Sequence, residues 1–164
     1  MVGLGHLARN NNGGDSVRAI FTALLIGGTI LATGAMAEDY MVVPKASQKL
    51  KAGPGNLYSQ DRLLSHKNAQ VNITIRDKSG QVEVHADWED QMFILDGECT
   101  LMLGGTVENP KSTGPGETRG DSAKGAKSFS VHAGDYIYVP ANTPHQMILA
   151  AGKFVKYAVV KNHP

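Results

Sequence analysis

One cysteine, Cys99, stands in the whole chain. A single thiol excludes an internal disulfide framework, so the fold must rest on its own core. Charge of one sign is also lacking: 16 lysines and arginines stand against 15 acids, for a formal net charge of +1. No basic run occurs, whereas a nucleic-acid binder shows a basic patch or stripe; no nucleic-acid partner is expected. The chain has no serine elbow, no phosphate-binding glycine loop and no dinucleotide fingerprint, which removes the commonest hydrolase and nucleotide-enzyme signatures. No long helical pattern interrupts the second half of the chain. Its length suits one domain.

One long hydrophobic run is present. AIFTALLIGGTILATGAMA spans 19–37, behind Arg9 and Arg18, and closes on Ala35-Met36-Ala37. A positive flank, an apolar centre and a small-residue exit describe a secretory signal peptide over 1–37. Its length is also near that of a bilayer span, so an uncleaved anchor is the alternative. The glycines, threonines and AMA exit favour cleavage. The expectation is a periplasmic or secreted protein of residues 38–164 with no stable membrane anchor.

Residues 38–68 read as an N-terminal extension, with short helices expected at SQKLKAG and SQDRLLSH and a stop at the GPG of 53–55. From 69 to 164 the pattern turns to strands. VNITIR (71–76) and VEVHADW (82–88) alternate apolar and polar residues. QMFIL (91–95) and TLML (100–103) are apolar runs divided near Asp96-Gly97, and KSFSVH, YIYVP, QMILA and KFVKYAVVK follow. Cys99, within GECTLMLGG, reads as a small core residue. Residues 106–126 (TVENPKSTGPGETRGDSAKGA) lack apolar periodicity and read as a long loop, either a functional lid or a tolerated insertion. Many short strands with turn signals between them predict an all-β sandwich or barrel.

Ionisable residues are concentrated in VEVHADWED. Glu83 and His85 are two apart on a strand and share a face; Asp87 has the same parity and is the reserve carboxylate. Asp90 opens the next strand and is expected to fold back beside His85. Six residues after Asp90 comes Gly97. A second stretch, GDYIYVPANTPH, runs from Gly134 to His145. Together these segments resemble the cupin superfamily. Its first motif has two histidines one residue apart, then a glutamate and a glycine. Its second is glycine, five residues, proline, one residue, glycine, two residues, histidine. Glu83 and Asp90 depart from the first motif's ligand identities, and its leading glycine falls on Asp77. Asn142 replaces the second glycine of the second motif, a substitution that fits positive φ; the final asparagine falls on Leu149.

The resemblance implies a jelly-roll barrel with a divalent transition metal (iron, manganese, nickel or zinc) on Glu83, His85, Asp90 and His145. It also implies a small-molecule substrate, pairing as a homodimer and a metal-dependent enzyme of oxygenase, isomerase or lyase type. A metal-free module binding a sugar or aromatic ligand is the alternative, and a domain whose long loop meets a partner protein is the third reading. In that loop Arg119, with Glu117 beside it, is the candidate for holding an anionic substrate; a solvated surface charge is the plainer reading. Trp88 reads as a packing or rim residue, and His66 and His132 as ordinary ones.

Overall fold

The alternation read along the chain becomes thirteen strands among the described residues, 41–163, of a computed structural model. The signal peptide expected over 1–37 lies outside them. Strands β1 (Lys51–Ala52), β2 (Ser59–Ser65) and β3 (Ala69–Arg76) come first. The first motif lies on β4 (Val82–His85) and β5 (Glu89–Leu103). Four short strands follow: β6 (Thr106–Glu108), β7 (Lys111–Gly114), β8 (Glu117–Gly120) and β9 (Ser122–Lys124). The chain ends through β10 (Lys127–His132), β11 (Tyr136–Val139), β12 (His145–Ile148) and β13 (Val155–Asn162).

QMFIL and TLML are one continuous strand of 15 residues, β5, rather than two. Its N-terminal half lies between β13 and β11, and its C-terminal half between β10 and β12. It therefore serves two antiparallel sheets, β1-β2-β3-β13-β5-β11 and β10-β5-β12-β4-β8-β7. Between the halves the register against β13 slips at Lys156/Tyr157. Such a bulge bends a strand and shifts its parity. Met92 and Ile94 are buried before it, Cys99 and Leu101 after it, so the even and then the odd residues face the core. Gly97 has φ +75°, and a Cβ there would collide with the Phe154 carbonyl. Only glycine suits that place.

The core fills the space between the sheets with Met92, Ile94, Leu101, Val139, Met147 and Val155 among others, and Cys99 belongs to it. The result is an all-β jelly-roll barrel. The short α-helices expected near the N-terminus do not form. SQDRLLSH is strand β2, paired with β3 from Ser59↔Ile75 to Ser65↔Gln70. SQKLKAG runs from the end of one 3-10 turn (Lys45–Ser47) into β1, and the other 3-10 turn is Pro54–Asn56. A helix that short is marginal alone, whereas extended backbone satisfies its donors on β3. The loop expected over 106–126 is instead the strands β6 to β9. β6 pairs with β9, and β8 lies between β4 and β7. Their alternation is of charge and size rather than hydrophobicity, so an apolar period does not reveal them.

Candidate metal centre

Strand pairing assembles the site. His145, the last residue of the GDYIYVPANTPH stretch, stands opposite Glu83 on β12 and β4, and Glu83 stands opposite Arg119 on β8. One step along, His85 faces Glu117. Residues directly opposite in neighbouring strands share a face, so these side chains converge inside the barrel. Glu83, His85 and His145 each present a ligand atom, all within 4.8 Å of one another. Asp90 reaches the same point from the opposite sheet: its Oδ2 is 3.5 Å from His85 Nε2 and 3.6 Å from His145 Nε2. Asp90 thus lies beside His85, though not on the strand next to β4, because β12 separates β4 from β5.

The orientation of each ring follows from its other nitrogen. His85 Nδ1 donates to Glu117, 2.8 Å to Oε2 and 2.9 Å to Oε1. His145 Nδ1 donates to the Thr143 carbonyl at 3.0 Å. With those protons placed, both Nε2 atoms are acceptors. His85 Nε2 is buried and has no hydrogen-bond partner. Two imidazole lone pairs and two carboxylates thus converge, an arrangement of acceptors that repels itself unless a cation or proton joins it. The set fits a transition metal well: imidazole and carboxylate donors, each with a supporting hydrogen bond behind it.

Cations brace the carboxylates. Glu83 Oε1 accepts from Arg119 at 2.5 Å and lies 3.5 Å from Arg76, which leaves Oε2 facing His85 Nε2 at 3.8 Å. Lys161 Nζ donates to Asp90 Oδ1 at 2.6 Å. Burial pushes Asp90 up, but the His85 imidazole, Lys161 and His145 outweigh it and hold the carboxyl at about 2. Burial likewise pushes Glu83 up, and Arg119, His145 and Arg76 bring it below the ordinary value. Burial draws His145 below the ordinary histidine range, with Glu83 and Asp90 opposing. The ring is therefore neutral at pH 7, the form a metal needs.

These groups line a cavity of about 530 Å³. Arg119 and Glu117 line it too, as cross-strand partners of the motif residues rather than as parts of a lid or solvated surface charges. The alternation in GETRG, two opposite charges on one face, is the signal that places them. Lys161 and Arg76 carried no sequence signal, since neither lies in a motif. Asp87 is exposed beyond the end of β4; the strand stops at His85, so strand parity no longer governs it. Trp88 lines the cavity and meets His163 edge-on at 5.4 Å. Asn142 has φ 61°, its N–H donates to the His85 carbonyl at 2.8 Å, and its side-chain amide donates to the Ala86 carbonyl at 2.9 Å. The turn before His145 is thereby tied to the end of β4.

No family model matches the sequence, and neither does any curated relative. Solved structures do match. A protein described as a predicted oxalate decarboxylase from Thermotoga maritima is 15% identical, with 76% of this chain and 100% of that chain covered and a TM-score of 0.57. The polyketide cyclase RemF from Streptomyces resistomycificus is 16% identical over 75% and 79%, with a TM-score of 0.55. A cupin-2 domain from Rhodospirillum rubrum is 14% identical over 74% of each chain, with a TM-score of 0.53. The fold of this chain is the cupin barrel.

Proposed function

We propose that the chain is an exported, metal-dependent enzyme that acts on a small molecule bound inside the barrel. Glu83, His85 and His145 would hold a divalent transition metal, and Asp90 would add its free oxygen. The observation that carries this reading is the buried His85 Nε2, which faces other acceptors without a hydrogen bond. Two histidines and two carboxylates would leave positions open for substrate on a six-coordinate metal. The metal would supply Lewis acidity or oxygen binding, for chemistry of oxygenase, isomerase or lyase type. The residues around it do the rest: Glu117 and the Thr143 carbonyl set the histidine tautomers, Arg119 and Arg76 aim Glu83, and Lys161 aims Asp90. Lys161 donates to Asp90 Oδ1 and favours the charged carboxylate, the form in which Asp90 would serve as a ligand.

The outward aromatic pair Phe93 and Tyr136, with ring centroids 5.1 Å apart, supports a homodimer through the sheet that carries β11. The second reading is a metal-free binding module. It draws support from the matching of Glu83 and Asp90 to Arg76, Arg119 and Lys161, which balances these carboxylates without an ion.

Elemental analysis of residues 38–164, purified without a histidine tag or chelator, separates the two. About one equivalent of a transition metal is expected, lost in His85→Ala and in His145→Ala while circular dichroism shows the barrel intact. Stoichiometric metal retained in both variants would sink the site assignment. No metal in the wild type, even after reconstitution under reducing conditions, would leave the binding module.

A further inference from the structure

The wall of the cavity away from the histidines belongs to β2 and β3. Their inward positions are Gln60 and Arg62 on one strand and Gln70, Asn72 and Thr74 on the other. Arg62 is unlike the other cations of this cavity. Arg76 and Arg119 sit on Glu83, and Lys161 on Asp90. Arg62 has no carboxylate partner among the described residues. Its hydrogen bond is from Nε to the Asn72 side-chain oxygen, at 3.4 Å. Asn72 is 2% exposed and stands directly opposite Arg62 in the strand register. A buried amide thus tethers the stem of an exposed guanidinium at the cavity rim, and the two terminal nitrogens stay free to donate.

We propose that the cavity takes a small oxyanion, a carboxylate or phosphate compound, and that Arg62 binds its anionic end. The proposal rests on the metal-site reading for the placing of the reacting end, not for the anion contact. A guanidinium fork with both terminal nitrogens free matches two oxygens of one such group. Gln60, Gln70 and Thr74 surround it with neutral hydrogen-bonding groups rather than an apolar slot. The three lining carboxylates Glu83, Asp90 and Glu117 are matched in number by Arg76, Arg119 and Lys161. Arg62 is the surplus charge, and a divalent metal would add to it. An anion neutralises that surplus, whereas a neutral sugar or a cation does not. Between Arg62 on β2 and Asp90 on β5 lie only β3 and β13. That is three strand spacings, roughly 14 Å of backbone, and the inward side chains shorten it to the span of a small molecule.

Isothermal titration of the protein as purified tests this, with metal content measured on the same sample. The probes are malonate, succinate and inorganic phosphate, set against malonamide, succinamide and chloride. At least one oxyanion is expected to bind, at least tenfold more tightly than its uncharged diamide or chloride. Arg62→Gln is expected to weaken that binding at least tenfold with metal content unchanged, and Arg62→Lys to fall between. Binding of no oxyanion above its control, or equal affinity in Arg62→Gln, would overturn the proposal. Failure of the metal reading shows separately, as anion binding by a protein that holds no metal.

Discussion

The two ring nitrogens of His85 carry different duties. Nδ1 is fixed by Glu117, so Nε2 is the one offered to the centre. Glu117 acts on the site through that imidazole, and outer partners of this kind change metal affinity by roughly 10–100-fold when removed. Glu117→Gln should therefore lower metal affinity by about that range with the fold retained. Competition with a chromogenic chelator measures it; an unchanged affinity would show that the imidazole needs no carboxylate behind it. Glu83, His85, Asp90 and His145 were legible because motif spacing is a local property. Arg119 and Glu117 drew notice only as a pair for an anionic substrate, and Arg76 and Lys161 not at all, because each reaches the site through a pairing between strands distant in sequence. Asp87 shows the reverse error: two-residue spacing puts a side chain on a given face only while the strand continues.

At the scale of the element, β5 decides whether the site forms at all. Its N-terminal half brings Asp90 and its C-terminal half pairs with the strand that carries His145. The bulge and Gly97 let one strand serve both sheets. Gly97→Ala puts a Cβ at φ +75° against the Phe154 carbonyl. The left-handed conformation alone costs about 1–2 kcal/mol for a residue with a side chain, and the collision adds to it. A loss of at least about 2 kcal/mol is expected in urea denaturation, with metal affinity falling as the two halves of β5 lose register. A midpoint within error of wild type would mean that the bend tolerates a side chain. The sequence marked Gly97 as an end of QMFIL; its use as a mid-strand bend depends on β13, which begins only at Val155.

For the whole molecule, a buried set of paired charges makes stability depend on pH. Asp90 goes from an ordinary value of 3.8 to about 2 on folding. A depressed carboxylate contributes stability above its unfolded value and loses it as pH falls toward its folded one. The shift corresponds to about 2 kcal/mol, lost between about pH 4 and pH 2. His145, drawn below 6.5 by burial, acts in the same direction at higher pH: the unfolded chain takes up its proton first, so stability falls as pH drops below 6.5. Chelator-treated protein should show urea midpoints that decline from pH 7 downward and again below pH 4. Asp90→Asn should flatten the lower decline. An Asp90→Asn profile parallel to wild type down to pH 2 would refute the pairing as a source of stability.

The sequence by itself determined that this chain is β-rich, because alternation is written in neighbouring residues, and its motif spacing pointed to Glu83, His85, Asp90 and His145 as neighbours. It also marked Asn142 as a residue for a left-handed turn. What only the tertiary structure decided is who stands opposite whom. The register of β8 against β4 turned an apolar-poor stretch into the supports of the candidate metal site, and β2, read as helix, became the wall that carries Arg62. Pairing between distant strands is a property of the closed sheets, and no window of the chain contains it.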